Sequence, residues 1–168
     1  MYEQHRKFDK LLVRMIEFDS GDPKRIQHFL KVHSYARLIC GMENVDEHTR
    51  FLTEAAAIVH DIGIHPAEAK YGSCSGKLQE LEGPAHARKL LEELDFDKAD
   101  IERVCYLVAH HHTYDNIDGV DYQILIEADF LVNFYEDGLS TDAIVSACNK
   151  LFRTDAGKRL CELCFVNG

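Results

Sequence analysis

The chain has 168 residues, 46% of them hydrophobic, and carries a net charge of −10 at pH 7. This length suits one domain with a buried core, and no run of residues approaches the roughly 20 apolar residues that a membrane-spanning helix needs. The excess of acidic residues disfavours a nucleic-acid-binding groove, which requires clustered lysine and arginine. It does not disfavour a small phosphorylated substrate, because bound cations create a local positive charge on an acidic protein.

The N-terminal segment is charged and amphipathic, unlike the apolar core of a secretory signal, so we expect a cytoplasmic protein. In that compartment the six cysteines are expected to be free thiols. Cys161 and Cys164 have the spacing of a redox or zinc half-site, but no partner pair accompanies them, and we interpret them as packing thiols. We expect residues 1–168 to form one domain.

Helical periodicity begins at the N-terminus. Apolar residues at spacings of three and four predict a first helix over residues 3–18. Asp22 as N-cap and Pro23 at the first helical position predict the start of a second helix, which runs to about Cys40.

A third helix, opened by Asp46 or Thr49, leads to the adjacent pair His60-Asp61. Residues 64–78 contain glycine, serine and proline and are predicted to be irregular. Further helices are predicted at about 83–94, from Asp97 to the triple histidine His110-His111-His112, and at about 120–136, 140–151 and 155–164. No segment alternates like a strand, so the pattern predicts an all-α bundle, a fold that builds metal sites from side chains of several helices.

The pair His60-Asp61 offers two kinds of metal ligand from neighbouring residues, with His33 before it and Asp129 after it in the chain. Imidazole suits zinc, iron, manganese and nickel, and carboxylate suits harder divalent ions and can bridge two of them. The combination predicts a site for a divalent transition metal.

The order His33, His60-Asp61, Asp129 resembles that of the HD superfamily of metal-dependent phosphohydrolases. The resemblance covers about residues 26–135 and rests on matching segments at residues 31–36, 55–63, 108–115 and 127–133. It implies a helical bundle of the HD type in which His33, His60, Asp61 and Asp129 surround one metal. A metal-activated water would then be the nucleophile.

Some branches of that superfamily hold a second metal through additional histidines. The segment 108–115 resembles their double histidine and assigns His110 and His111 as the pair. The remaining ligand falls on Glu82 or on His86, four residues later, and both stay open because residues at i and i+4 share a helix face. The resemblance therefore implies one or two metal ions, with iron, manganese, zinc and nickel as candidates.

Cations near these segments are candidates for holding a substrate phosphate. Lys70 and Lys77 flank a polar loop that is either solvated or a lid over the site. Arg37 lies one turn after His33 and either reaches substrate or pairs with a carboxylate. We predict Arg37, Lys70 and Lys77 as substrate-binding residues, and Asp61, His60 and Lys70 as catalytic ones.

The sequence thus predicts a metal-dependent hydrolase acting on a small phosphate ester, with nucleotides among the candidates. The first alternative is a binuclear iron oxygenase on the same scaffold, because imidazole also suits iron. The second is a non-catalytic metal-containing sensor. Neither the substrate nor the oligomeric state follows from the sequence.

Overall fold

The computed structural model describes the backbone of residues 2–167 and the side chains of residues 6–167. Within this part of the chain the secondary structure is helical, with no strand, which confirms the all-α prediction. The helices are α1 (Tyr2–Phe18), α2 (Pro23–Met42), α3 (Glu47–Val59), α4 (Ile64–Tyr71), α5 (Gly76–Glu93), α6 (Lys98–Val108), α7 (Val120–Glu136), α8 (Thr141–Leu151) and α9 (Asp155–Cys161), followed by a π-helical turn (Glu162–Val166).

Helix α3 lies at the centre of the bundle and contacts α1, α2, α6 and α7. Every residue from 51 to 60 is buried, and so is every residue from 121 to 129 of α7. Truncating one large side chain in such a core costs about 2–5 kcal/mol. The His60-Asp61 pair follows the last turn of α3, so the most closely packed helix of the molecule fixes its position.

Residues 64–78 differ from the sequence prediction, because they hold all of α4 and the start of α5. Pro66 occupies the third position of α4, where the backbone N–H that proline lacks has no intrahelical partner to lose. Gly72 ends α4 with a left-handed φ of 66°, and Ser75 is the N-cap of α5. The breaker residues that predicted a long loop therefore mark two helix ends, and only residues 72–75 connect the helices.

Gly63 lies between the His60-Asp61 pair and α4, where the backbone of α5 passes close to it. A Cβ atom at this position would collide with the carbonyl oxygen of Gln79 and lie 2.8 Å from the backbone nitrogen of Gly83. Only glycine lets α5 approach this closely, so Gly63 is needed for packing beside the His-Asp pair.

The described helices are all too short or too polar to cross a lipid bilayer.

Candidate metal centre

Three helices bring four metal-ligand side chains together, and we call this cluster the four-residue centre. It consists of His28 from α2, His60 and Asp61 after α3, and Asp129 from α7. His28 Nε2 lies 3.1 Å from Asp129 Oδ1, 3.3 Å from His60 Nε2 and 3.4 Å from Asp61 Oδ2. His60 Nε2 lies 3.4 Å from Asp61 Oδ2 and 3.5 Å from Asp129 Oδ1.

The separations of the two imidazole nitrogens from each other and from each carboxylate fit ligand atoms that share one ion, and the ligand atoms of His28, His60 and Asp61 all lie within 4.8 Å of one another. Atoms bound to a transition metal at about 2.0–2.2 Å lie about 3–3.5 Å from one another at ordinary coordination angles. The two carboxylates carry two negative charges, which a divalent cation neutralises. The donor set of two imidazoles and two carboxylates leaves coordination positions for water or substrate.

The other nitrogen of each imidazole is already engaged by an acceptor. His28 Nδ1 donates to Glu136 Oε2 at 2.9 Å, and His60 Nδ1 donates to the carbonyl oxygen of Ala57 at 2.9 Å. A ring that donates from Nδ1 presents an Nε2 lone pair when it is neutral. Two neutral rings would thus turn their Nε2 lone pairs toward each other across 3.3 Å, an arrangement that a metal ion between them would satisfy.

His111 extends the cluster from the turn after α6. Its Nδ1 donates to the carbonyl oxygen of Val108 at 2.8 Å, and its Nε2 lies 3.4 Å from Asp61 Oδ1. The Nε2 atom is buried and has no hydrogen-bond partner within the described residues. A buried imidazole nitrogen without a partner is costly, and a metal ion would satisfy it.

The carboxylates of the cluster have lowered pKa values and therefore favour a cation nearby. Burial opposes the charge on Asp61, yet the neighbouring His60 and His111 hold the pKa of Asp61 well below its usual range. Burial likewise opposes the charge on Asp129, but hydrogen bonds from His28 and His60 lower its pKa. Burial also disfavours a charged His60, but Asp61 and Asp129 outweigh it and raise the pKa of His60 to about 9. Both carboxylates are therefore ionised at neutral pH and attract a cation.

The chain resembles known proteins both in sequence and in fold. The family model described as "HD domain" matches residues 25–155, which include every residue of the four-residue centre. The chain belongs to the HD domain family. A search of curated proteins finds no match.

A solved structure is similar to this HD domain over most of both chains. It is the crystal structure of a predicted HD superfamily hydrolase from an uncultured Thermotogales bacterium. The two share 26% sequence identity with a TM-score of 0.63, and the match covers 94% of this chain and 82% of the other.

The histidine of α2 that lies beside His60 is His28, whereas the sequence analysis placed His33 there. His33 Nε2 is bonded to Glu54 Oε2 at 3.0 Å, and Arg50 Nε donates to Glu54 Oε1 at 2.7 Å. Residues five apart on a helix differ by about 140° in direction, so the two histidines face different neighbours. His28 begins the buried row formed with Val32, Ala36 and Ile39, and that row was the available sequence signal.

The residues assigned to a second metal are mostly dispersed. His110 Nδ1 donates to the carbonyl oxygen of Tyr106, and its ring stacks on the Tyr106 ring with centroids 4.2 Å apart. Glu82 accepts hydrogen bonds from Lys70 and Tyr71 on the surface. His86 packs its ring edge against Phe18, 6.0 Å between centroids. Of the predicted set, the structure brings only His111 to Asp61.

His112, and not His110 as the sequence analysis predicted, lies with His111 near Asp61. Ligand atoms of Asp61, His111 and His112 lie within 4.8 Å of one another, and we call these residues the second group. His112 Nε2 donates to Gln79 Oε1 at 3.0 Å, which leaves Nδ1 as a lone-pair donor. Burial and the neighbouring His111 lower the pKa of His112 to about 4, so the ring is neutral and able to bind metal.

Helix α7 carries a polar row at spacings of four and three, formed by Asp129, Asn133 and Glu136. Asn133 Nδ2 donates to Asp129 Oδ1 at 2.9 Å and so orients that carboxylate. Glu136 bonds His28 and also pairs with Lys31 Nζ at 2.5 Å. Glu136, which the sequence analysis missed, therefore fixes the orientation of a centre histidine.

A cleft of about 400 Å³ opens onto the four-residue centre and is lined by His28, Asp61 and Asp129. Two cations from the first turn of α2, Lys24 and Arg25, also line it. Arg25 is held by Asp22 at 2.6 Å and Glu68 at 2.7 Å. Lys24 is exposed and has no ion pair among the described residues.

The three cations predicted to bind substrate lie outside this cleft. Lys70 pairs with Glu82 at 2.8 Å, and its side chain is 59% exposed. Arg37 lines a separate surface groove with Arg50 and Leu38. Lys77 is exposed on the first turn of α5. The structure brings none of them to the candidate metal centre, and for Lys70 and Lys77 the reason is that the segment predicted to be a polar loop folds as α4 and the start of α5.

Proposed function

We propose that this HD domain is a metal-dependent hydrolase of small phosphate esters. The observation that carries the proposal is the four-residue centre at the wall of an open cleft, with ionised carboxylates, imidazole lone pairs and nearby cations. An open position facing a cleft is typical of catalytic metal sites, whereas structural sites are closed. Membership of the HD family and the likeness to a predicted HD superfamily hydrolase support the same class of reaction.

The residues of the centre have separate tasks. His28, His60, Asp61 and Asp129 would hold a divalent transition metal, with iron, manganese, zinc and nickel all compatible with this donor set. When bound, such an ion lowers the pKa of water and polarises a phosphoryl oxygen. Asp61 lies on the cleft wall, and its Oδ1 atom faces His111, so it is placed to orient the attacking water.

The second group provides a place for a second ion. Asp61 presents Oδ2 to His28 and His60 and Oδ1 to His111, so its carboxylate spans both groups. A carboxylate can bridge two metals in this way. The proposal is therefore one ion in the four-residue centre and a second, shared through Asp61, with His111 and His112.

The proposal is tested by hydrolysis of p-nitrophenyl phosphate after the protein has been loaded with each candidate metal. We expect turnover that disappears with a chelator and falls at least about 100-fold in Asp129→Asn, because that residue is a ligand.

His33→Ala is the control, since it removes a half-buried histidine of α2 that lies outside the centre and bonds Glu54. It is expected to keep its activity. Failure of the metal-loaded protein to hydrolyse p-nitrophenyl phosphate or any other phosphate ester would contradict the proposal.

A further inference from the structure

We infer that the cleft selects a hydroxyl-rich phosphate, such as a sugar or polyol phosphate, over a nucleotide. The inference rests on the proposed function and concerns the part of the substrate beyond the phosphoryl group. It follows from which side chains line the cleft and from which kinds of side chain are absent there.

The described residues that line the cleft include no phenylalanine, tyrosine or tryptophan on which a nucleobase would stack, and the two imidazoles there, His28 and His112, belong to the proposed metal groups. Among the described lining residues, Ile64 and Cys74 are the apolar ones. Proteins that bind bases commonly stack them on aromatic side chains, which contributes about 1–3 kcal/mol per base. The nearby Tyr114 packs on Phe130 and lines a different cleft.

Arg25 also lines the cleft, and several partners hold its guanidinium in place. Its guanidinium bonds Asp22 and Glu68, and NH1 lies 3.4 Å from His65 Nδ1. These contacts occupy both terminal nitrogens of the guanidinium. Arg25 therefore contributes a fixed positive charge to the cleft.

The remaining lining consists of groups that hydrogen-bond hydroxyls. Asp22 and Asp137 supply carboxylates at the start of α2 and the end of α7. Gln79 and Asn133 supply side-chain amides. Carboxylates accept from hydroxyls, and amides both donate and accept, so this lining matches several adjacent hydroxyl groups. Asp22, Gln79 and Asn133 also have protein partners, so among the described lining residues Asp137 is the carboxylate with both oxygens available to a substrate hydroxyl.

Lys24 provides a positive charge in the cleft for the phosphate group of the substrate. It lines the cleft on the turn before His28 and has no carboxylate partner among the described residues. A phosphate ester carries negative charge that a metal ion would only partly neutralise. A lysine ammonium is a compact partner for the remaining charge.

The test compares four substrates on the metal-loaded protein: glucose 6-phosphate and glycerol 3-phosphate against AMP and dAMP. We expect kcat/KM at least about tenfold higher for the first pair, the ratio that corresponds to one well-placed hydrogen bond. Glucose 6-phosphate should also raise the Tm of the loaded protein more than AMP does at equal concentration, because ligands stabilise the state that binds them.

Two variants test which side chains of the cleft produce the preference for sugar phosphates. Lys24→Ala should raise KM for glucose 6-phosphate about tenfold and leave kcat within about twofold, since it removes one charge-assisted contact. Asp137→Ala should raise KM for glucose 6-phosphate but not for p-nitrophenyl phosphate, which has no hydroxyls. Lys89→Ala, an exposed lysine on α5 outside the cleft, is the control and should change neither constant.

The outcomes separate this inference from the proposed function. Equal or better turnover of AMP and dAMP would overturn the inference and leave the hydrolase proposal standing. Turnover of no phosphate ester at all would overturn both. Unchanged KM values in Lys24→Ala and Asp137→Ala would show that the cleft lining does not select the substrate.

Discussion

His28 and His33 lie on the same helix, and the rotation between them decides which one faces Asp129. His28 is 8% exposed and contacts His60 and Asp129, whereas His33 is bonded to Glu54. His33 lies in a segment that matches the HD pattern by its local residues, but local residues do not report the direction of a side chain. The direction follows from the full buried row of α2, which His28 begins.

Glu136 is expected to control metal affinity through His28. Its carboxylate accepts from His28 Nδ1 at 2.9 Å, which fixes the ring orientation. Glu136→Ala should weaken metal binding about 10–100-fold, the usual effect of removing such a partner. Glu136→Gln keeps an acceptor and should lose less. Equilibrium dialysis measures both.

The exposed Glu92→Ala on α5 serves as the control for that measurement. Equal metal affinity in Glu136→Ala and Glu92→Ala would show that His28 needs no support from α7.

Asp19 is expected to make the protein less stable as the pH rises. Burial raises its pKa from 3.8 to about 6, although His65 and Arg25 partly offset this. The folded state therefore holds a proton that the unfolded state has already released, and this contribution to stability is lost between about pH 4 and pH 6. Asp19→Asn cannot ionise and should raise Tm at pH 7.5 by about 2–4 °C, which corresponds to about 1 kcal/mol for a chain of this size.

Thermal unfolding at pH 4 and pH 7.5 checks this expectation, with the exposed Asp9→Asn as control. The variants should not differ at pH 4. A lower Tm for Asp19→Asn at pH 7.5 would mean that the contact with His65, 3.4 Å away, outweighs the burial of the carboxylate.

Helix positions were largely predictable, because apolar spacing and N-caps are local signals. Asp22 and Asp46 cap α2 and α3 as the pattern indicated. The segment 64–78 was not predictable in the same way, since Pro66 and Gly72 break helices in most contexts. Here they occupy a first turn and a C-cap, where both are tolerated. Whether Pro66 and Gly72 interrupt a helix or mark its first turn and its C-cap depends on the packing of α4 against α5. Local sequence does not show this packing.

Gly63→Ala is expected to disturb the centre through this packing of helices. The added methyl group would push α5 away from the chain two residues after Asp61. Overpacking of this kind costs about 1–3 kcal/mol, and we expect weaker metal binding as well. Urea unfolding and equilibrium dialysis measure the two effects.

Gly41→Ala is a matched control near the end of α2, since a Cβ there meets no atom within 4 Å. It should leave stability unchanged or raise it by up to about 1 kcal/mol, because alanine favours a helix. Equal stability of the Gly63 and Gly41 variants would contradict the packing role of Gly63.

The candidate centre draws on residues that lie far apart in the chain, at positions 28, 60, 61, 111 and 129. Folding of the bundle brings them together from α2, α3, α7 and the turn after α6, so no single segment contains the site. Sequence patterns identified His60, Asp61 and Asp129 because their neighbours resemble those of the HD family. The contributions of His28, His112 and Glu136 emerge only from the way in which the helices are arranged.

The measurement that tests this account most directly is the metal content of three proteins at equal concentration: wild type, His28→Ala and His33→Ala. After loading with manganese and dialysis, we expect wild type and His33→Ala to retain metal and His28→Ala to lose most of it. Retention by His28→Ala together with loss by His33→Ala would contradict the centre described here. So would a wild-type protein that binds no divalent metal.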